Sequence, residues 1–212
     1  MVRVSVYIDG FNFYYGLKRK IAEEPDWKKF YWIDFVKLFD HFKGDNQILQ
    51  KVYYFTTPPN NVQKSNRQTL LFEANQLING SRFEVVKGKF VDKTLTCAIC
   101  GASYTVPEEK RTDVNISVRM MGDCAQDKTD TLILVTADSD LIPTIEFIKT
   151  NHPNKKIKVF FPPRGFSNDL NNMMRGKIVK LQNNKIKFTN CIMPDTVTAY
   201  GKSVTIPPEW KI

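Results

Sequence analysis

Four cysteines in 212 residues are too few for a disulfide scaffold. No apolar run approaches the ~20 residues that a membrane helix needs, so no membrane partner is expected. The chain opens Met1-Val2-Arg3-Val4 and enters an alternating apolar strand, without the basic and apolar regions of a secretory signal. Internal repeats and low-complexity linkers are missing as well. At 42% hydrophobic and 25% charged residues, disorder is excluded for the bulk of the chain. Length predicts one domain, with room for a small insertion, and the cysteine usage predicts a cytoplasmic location.

Charge is unevenly spread. Lys and Arg number 31 against 22 Asp and Glu, a net +9. Residues 149–187 hold ten basic residues and a single acid, Asp169, so the rest of the chain is balanced. Concentrated positive charge attracts a polyanion through long-range fields and counterion release, which suggests nucleic acid. A solvated basic face that only aids solubility is the plainer reading.

Periodicity predicts alternating strands and helices. Residues 2–8 alternate as a strand, and helices are expected over 11–20 and 32–42. A buried strand at 52–55, a helix over 62–78 stopped by Asn79-Gly80, and a strand over 83–91 follow. Residues 93–111 break the rhythm and read as an inserted loop. A helix opened by Thr112-Asp113 is expected to turn Val114, Val118, Met121 and Ala125 inward. The run TLILVT (131–136) suits a central parallel strand. A helix over 139–149, a strand at 157–161 and a tail of short strands and turns complete an α/β domain with a mostly parallel sheet. The expected organisation is a domain over 1–176 with its insertion, and an extension over 177–212 packed on it.

In an open parallel sheet, function gathers outside the carboxyl ends of the strands. Asp9 ends the first strand, Asp138 and Asp140 follow TLILVT, and a crossover could bring Asp113 to the same edge. Four carboxylates crowded together repel one another. A divalent cation resolves the conflict, because Mg²⁺ and Mn²⁺ take carboxylate oxygens and water. Each Asp alone could be only a helix cap or a turn residue; all four together point to a site.

The segments YIDGFNFYYGLK (7–18), EEKRTDVNISVRMMGD (108–123), DTLILVTADSDLIPTIEFIK (130–149) and FFPPRGFSNDL (160–170) resemble the NYN domain, a branch of the PIN-like nuclease superfamily. The resemblance runs from residue 2 to about 175. It implies a Rossmann-like three-layer α/β/α fold and metal-dependent cleavage of phosphodiesters, chiefly in RNA rather than DNA. By position, Asp9, Asp113, Asp138 and Asp140 match the family's acidic metal ligands. Asn12 matches the polar partner on the first turn, Thr136 and Ser139 match hydroxyls flanking the last pair, and all three are expected to bind the substrate strand.

Cys97-Ala-Ile-Cys100-Gly101 has the spacing of a zinc knuckle, yet no second CxxC exists to complete four ligands. Zinc shared with another chain in a homo-oligomer, or with Cys191, is one reading. Two reduced cysteines closing a turn is the other. Lys110, Arg111 and Arg164 are the candidates for holding phosphates beside the metal, whereas Lys155 and Lys156 read as ordinary surface cations. A metal-dependent endoribonuclease is the leading function. A non-catalytic nucleic-acid-binding or scaffolding module that keeps the acids is the alternative. Aspartyl-phosphate chemistry is weaker: position 11 is Phe, where a haloacid-type hydrolase wants a second Asp.

Overall fold

Val4, Val6 and Ile8 alternate with Ser5 and Tyr7, which gives the first strand two faces to bury. The computed structural model describes residues 1–211. In chain order it contains β1 (Val2–Asp9), α1 (Gly10–Glu23), α2 (Phe35–Asp40), β2 (Gln47–Thr56), α3 (Val62–Asn79), β3 (Phe83–Lys87), β4 (Lys89–Thr96) and β5 (Ser103–Lys110). Then come α4 (Thr112–Ala125), β6 (Thr131–Val135), α5 (Ile142–Asn151), β7 (Lys156–Phe161), α6 (Asn168–Met173), β8 (Ile178–Lys180), α7 (Lys185–Thr189), β9 (Thr196–Ala199) and β10 (Lys202–Thr205).

Six strands form one parallel sheet in the order β3-β2-β1-β6-β7-β8. Val4, Val6 and Ile8 pack on one face against Phe13, Phe35, Phe39 and Phe72 from α1, α2 and α3. Tyr7, Leu132 and Leu134 pack on the other against Ile116, Met120, Ile145 and Ile148 from α4 and α5. This is the three-layer α/β/α architecture. The chain works outward from β1 to β3, then crosses back to β6 on the opposite side of β1. That reversal makes the β1/β6 carboxyl ends the topological switch point, where such sheets form their crevice.

Several expected elements differ. The strand expected over 83–91 divides at Gly88: β3 joins the sheet, while β4 leaves it and pairs antiparallel with β5. Alternation continues through the break, so the pattern carries no sign of the change of partner. Residues 93–111, expected as a loop, are mostly the two strands of this projecting arm, with the CxxC turn at its tip. The helix expected over 32–42 starts at Phe35, because Asp34 caps it by accepting the Lys37 N–H at 2.9 Å. In α4 the expected face is wrong. Val114 and Val118 are exposed, and Ile116, Met120, Asp123 and Cys124 face inward. Asp123 is tolerated there because the Tyr7 hydroxyl donates to it at 2.8 Å.

The sheet runs on to Lys180, past the boundary expected at 176, through β8. Beyond it the tail adds α7 and a β9–β10 hairpin, and it places Phe188, Cys191 and Met193 in the core beneath α1–α3. Lys155 is no surface cation. Only 7% exposed, it forms ion pairs with Asp127 and, at 3.7 Å, Asp130, which also binds Arg3. This cluster ties β1 to the turns before β6 and β7, at the amino ends of the strands.

Candidate metal centre

Asp9 ends β1 and caps α1. Its carboxylate accepts the Asn12 N–H (3.0 Å), the Asn12 side-chain amide (2.6 Å) and the Thr136 hydroxyl (2.8 Å). Thr136 in turn accepts the Asp138 N–H at 3.0 Å, so one hydroxyl fixes both acids. Asn12 also accepts the Ala137 N–H at 3.4 Å, which ties the start of α1 to the loop after β6. Asn12 and Thr136, expected at the substrate, are thus engaged in holding Asp9.

Asp113 reaches the same edge by a detour. The arm departs at Gly88 and returns at Lys110, which pairs with Lys89 across its base, and α4 begins two residues later. Gly88 is required at this junction: a Cβ there would lie 2.6 Å from the Thr57 hydroxyl and 2.8 Å from the Lys110 carbonyl oxygen. Arg111 completes the turn in the left-handed region, φ 81°, as the residue preceding the helix.

Asp9, Asp113 and Asp138 each offer a carboxylate oxygen within 4.8 Å of the others. Three hard oxygen donors at this spacing, one of them buried, fit a divalent cation of the Mg²⁺ or Mn²⁺ type. Asp140, expected among the converging acids, stays outside the trio. Asp138 caps the turn Ser139–Leu141 by accepting the Asp140 N–H at 3.0 Å, and the turn carries the Asp140 side chain out to solvent. Ser139 opens that turn.

The electrostatics bear the mark of crowding. Burial pushes the Asp9 carboxyl above its usual range, against the hydrogen bonds from Asn12 and Thr136. Burial, then the charges of Asp9, Asp138, Glu109 and Asp140, push Asp113 from 3.8 up to about 6. Glu109 is the acid that sequence reasoning missed. It accepts hydrogen bonds from Thr57 at 3.1 Å and from the Thr112 hydroxyl, at the base of an arm that the sequence presents as a loop.

These shifts set a pH dependence. The folded state holds the Asp113 proton more tightly than the unfolded chain does. The contribution of Asp113 to metal-free stability therefore falls as pH rises from about 4 to about 6 and is absent above that. Metal and proton compete for the same oxygens. The rise in melting temperature on adding Mn²⁺ is expected to be larger at pH 7.5 than at pH 5 in scanning calorimetry. Equal rises at the two pH values would separate Asp113 from the metal.

Two of the three cations expected beside the acids, Lys110 and Arg164, are paired with other carboxylates. Strand alternation turns Lys110 to the face opposite Glu109, where it pairs with Glu108 at 2.9 Å. Arg164 pairs with Glu23 at 3.0 Å, at the far end of α1 and ~20 Å of helix from Gly10. Lys149, Lys158, Arg175, Lys177 and Lys187 of the basic segment line a separate groove along β7 and β8, with none of the acids in its wall. The cysteines do not converge either. Cys97 and Cys100 stand at the arm's tip, while Cys124 and Cys191 are buried on opposite sides of the sheet. Cys191 therefore cannot complete a site with Cys97, since the core holds it. A cavity of about 270 Å³ opens next to the acids, between α1 and α3, with Gly10 in its wall.

The sequence pattern of the NYN domain matches residues 3–180. The chain is 24% identical to 6-hydroxy-3-succinoylpyridine 3-monooxygenase HspA from Pseudomonas putida over an alignment 248 positions long, gaps included, covering 98% of this chain and 75% of that protein. A crystal structure of a protein of unknown function from Vibrio parahaemolyticus superposes with a TM-score of 0.50 at 20% identity, covering 81% of this chain and 88% of that one. No helix among the described residues is long and apolar enough to cross a membrane.

Proposed function

The chain belongs to the NYN domain family, and from that premise we propose that it is a metal-dependent endoribonuclease acting on single-stranded RNA. The observation that carries this reading is the convergence of Asp9, Asp113 and Asp138 at the switch point of the sheet. These three would hold Mg²⁺ or Mn²⁺, which supplies a Lewis acid that lowers the pKa of an attacking water and neutralises charge on the phosphoryl group. Asn12 and Thr136 lock the Asp9 carboxylate in one orientation. Glu109 adds negative charge beside Asp113, which favours a divalent over a monovalent ion. Asp140, exposed at the rim, is free to hold a second ion or an outer water. An RNA substrate and four free thiols suit the reducing cytoplasm.

The test is a labelled single strand incubated with the purified protein and Mn²⁺, Mg²⁺ or EDTA. Cleavage is expected with either metal and not with EDTA. Binding without cleavage would leave a non-catalytic nucleic-acid module. A second reading follows the activity named for the Pseudomonas relative, and the aromatic cavity beside Gly10 favours it. It predicts turnover of a hydroxypyridine and none of RNA.

The arm's tip is half of a tetrahedral thiolate site, and in this reading a second copy of the chain supplies the other half. Cys97 N–H donates to the Ala102 carbonyl and Gly101 N–H to the Cys97 carbonyl, with Gly101 at φ 71°, so the turn holds both thiols together. Ile99 between them is 97% exposed. An isolated two-stranded hairpin is marginal in water, and a shared metal would staple two of them. Protein purified without chelator is expected to carry half an equivalent of zinc per chain and to run as a dimer that EDTA converts to monomer. Zinc below about a tenth of an equivalent, with no change of mass in EDTA, would leave two reduced cysteines closing a turn; a structural site binds by ~10–16 kcal/mol and would not be lost in purification.

A further inference from the structure

Aromatic rings line the cavity beside Gly10. Phe11 and Tyr15 stack on the same face of α1 with ring centroids 5.9 Å apart, and Tyr15 remains 47% exposed. Phe90, from the base of the arm, meets Phe11 edge-on at 6.3 Å. On the other side Tyr31 and Trp210, from stretches far apart in sequence, stack at 5.3 Å and 21°. Lys18 and Lys64 stand exposed at the mouth, and no carboxylate is among the residues that line it. Arg67 also faces the cavity, but its guanidinium is engaged by Glu209 at 2.9 Å.

Aromatic walls, free cations and no acid make a receptor for a flat ring that carries an anion. At about 270 Å³ the space lies at the small end for ligand pockets, which suits one ring system. Two threads join it to the acids. Gly10 in its wall is bonded to Asp9, and Thr57 in its wall hydrogen-bonds Glu109.

We infer that this cavity receives one unpaired nucleobase of a single-stranded RNA and thereby presents the adjoining phosphodiester to Asp9, Asp113 and Asp138. The inference rests on the nuclease reading above and adds the feature of the substrate that is recognised. The base stacks on the aromatic walls, and Lys18 and Lys64 take the phosphate that follows it. A base in a duplex cannot enter without leaving its partner, so the pocket selects single strands.

The test uses the full chain carrying Asp138→Asn, in EDTA, so that binding is measured without cleavage. A short single-stranded RNA is titrated while Trp210 fluorescence and anisotropy are followed. Adding Tyr15→Ala, with its melting temperature measured alongside to show that the fold is kept, is expected to weaken binding about tenfold to a hundredfold, the scale of one stacked base. Lys64→Ala is expected to weaken it less. An RNA abasic at a single position is expected to lose as much as Tyr15→Ala does, and combining the two to lose little more. Unchanged affinity in Tyr15→Ala would overturn the base pocket while leaving the nuclease reading intact. Failure of wild-type protein to bind or cleave any RNA, with nicotinate quenching Trp210, would overturn both and make the cavity a site for a free heteroaromatic acid.

Discussion

Asp138→Asn protein is expected to fold normally and to cleave single-stranded RNA more slowly by on the order of a thousandfold, the scale on which losing one preorganised charge contact to a transition state is felt. Asp138 is the acid at which this can be measured cleanly. It is half-buried and accepts one backbone N–H, that of Asp140, which an amide oxygen accepts equally well. Removing its charge also relieves repulsion on Asp9 and Asp113, so the metal-free melting temperature is expected to hold or rise slightly. Asp9→Asn should contrast with it. That side chain is 2% exposed and accepts three hydrogen bonds, so an amide would set an N–H against donors. Activity and about 1–3 kcal/mol of stability should be lost together. Cleavage retained in Asp138→Asn would remove this residue from the metal centre.

Gly16→Ala carries the largest stability effect expected outside the site. Gly16 faces the loop 162–165 from the buried side of α1, and a Cβ there would fall well inside contact distance of the Pro163 carbonyl oxygen. The obstacle is backbone, between two prolines on one side and a helix on the other, so neither can give way cheaply. Overpacking of this kind costs about 3 kcal/mol or more and outweighs the ~1 kcal/mol by which alanine favours a helix. For a chain of this length the melting temperature should fall by about 6–12 °C. Gly122→Ala is the matched control. It lies in α4 with open space where its Cβ would go, so only the helix preference operates and the protein should gain about 0.5–1 kcal/mol. Equal effects at the two positions would mean that α1 does not rest on the loop as described.

The parts legible in the sequence are those fixed by neighbours along the chain. β1 and α3 declare themselves by period and β6 by its unbroken apolar run, and the acids at Asp9 and Asp138 follow from where parallel strands end. What stayed hidden depends on partners far away. Beyond Val91 the arm escaped notice because both its faces are largely solvated, which erases the alternation that marks a half-buried strand. The face of α4 was misread because Asp123 looks polar until Tyr7, 116 residues earlier, satisfies it. Arg164 counted as free charge, yet Glu23 holds it. Net charge likewise could not distinguish the buried Lys155 from the lysines that line the groove beside β7.

The arm's closed base gives the molecule a kind of modularity. Because β4 and β5 leave and rejoin the sheet at neighbouring points, Lys89 opposite Lys110, the position of Asp113 depends on the base and not on the arm's extent. Cross-strand pairs can be added or deleted in step, each changing the reach by ~3.4 Å, while the carboxylates stay where they are. What the tip carries can therefore diverge among relatives at a pace of its own, as an appendage whose evolution is uncoupled from the chemistry at its root.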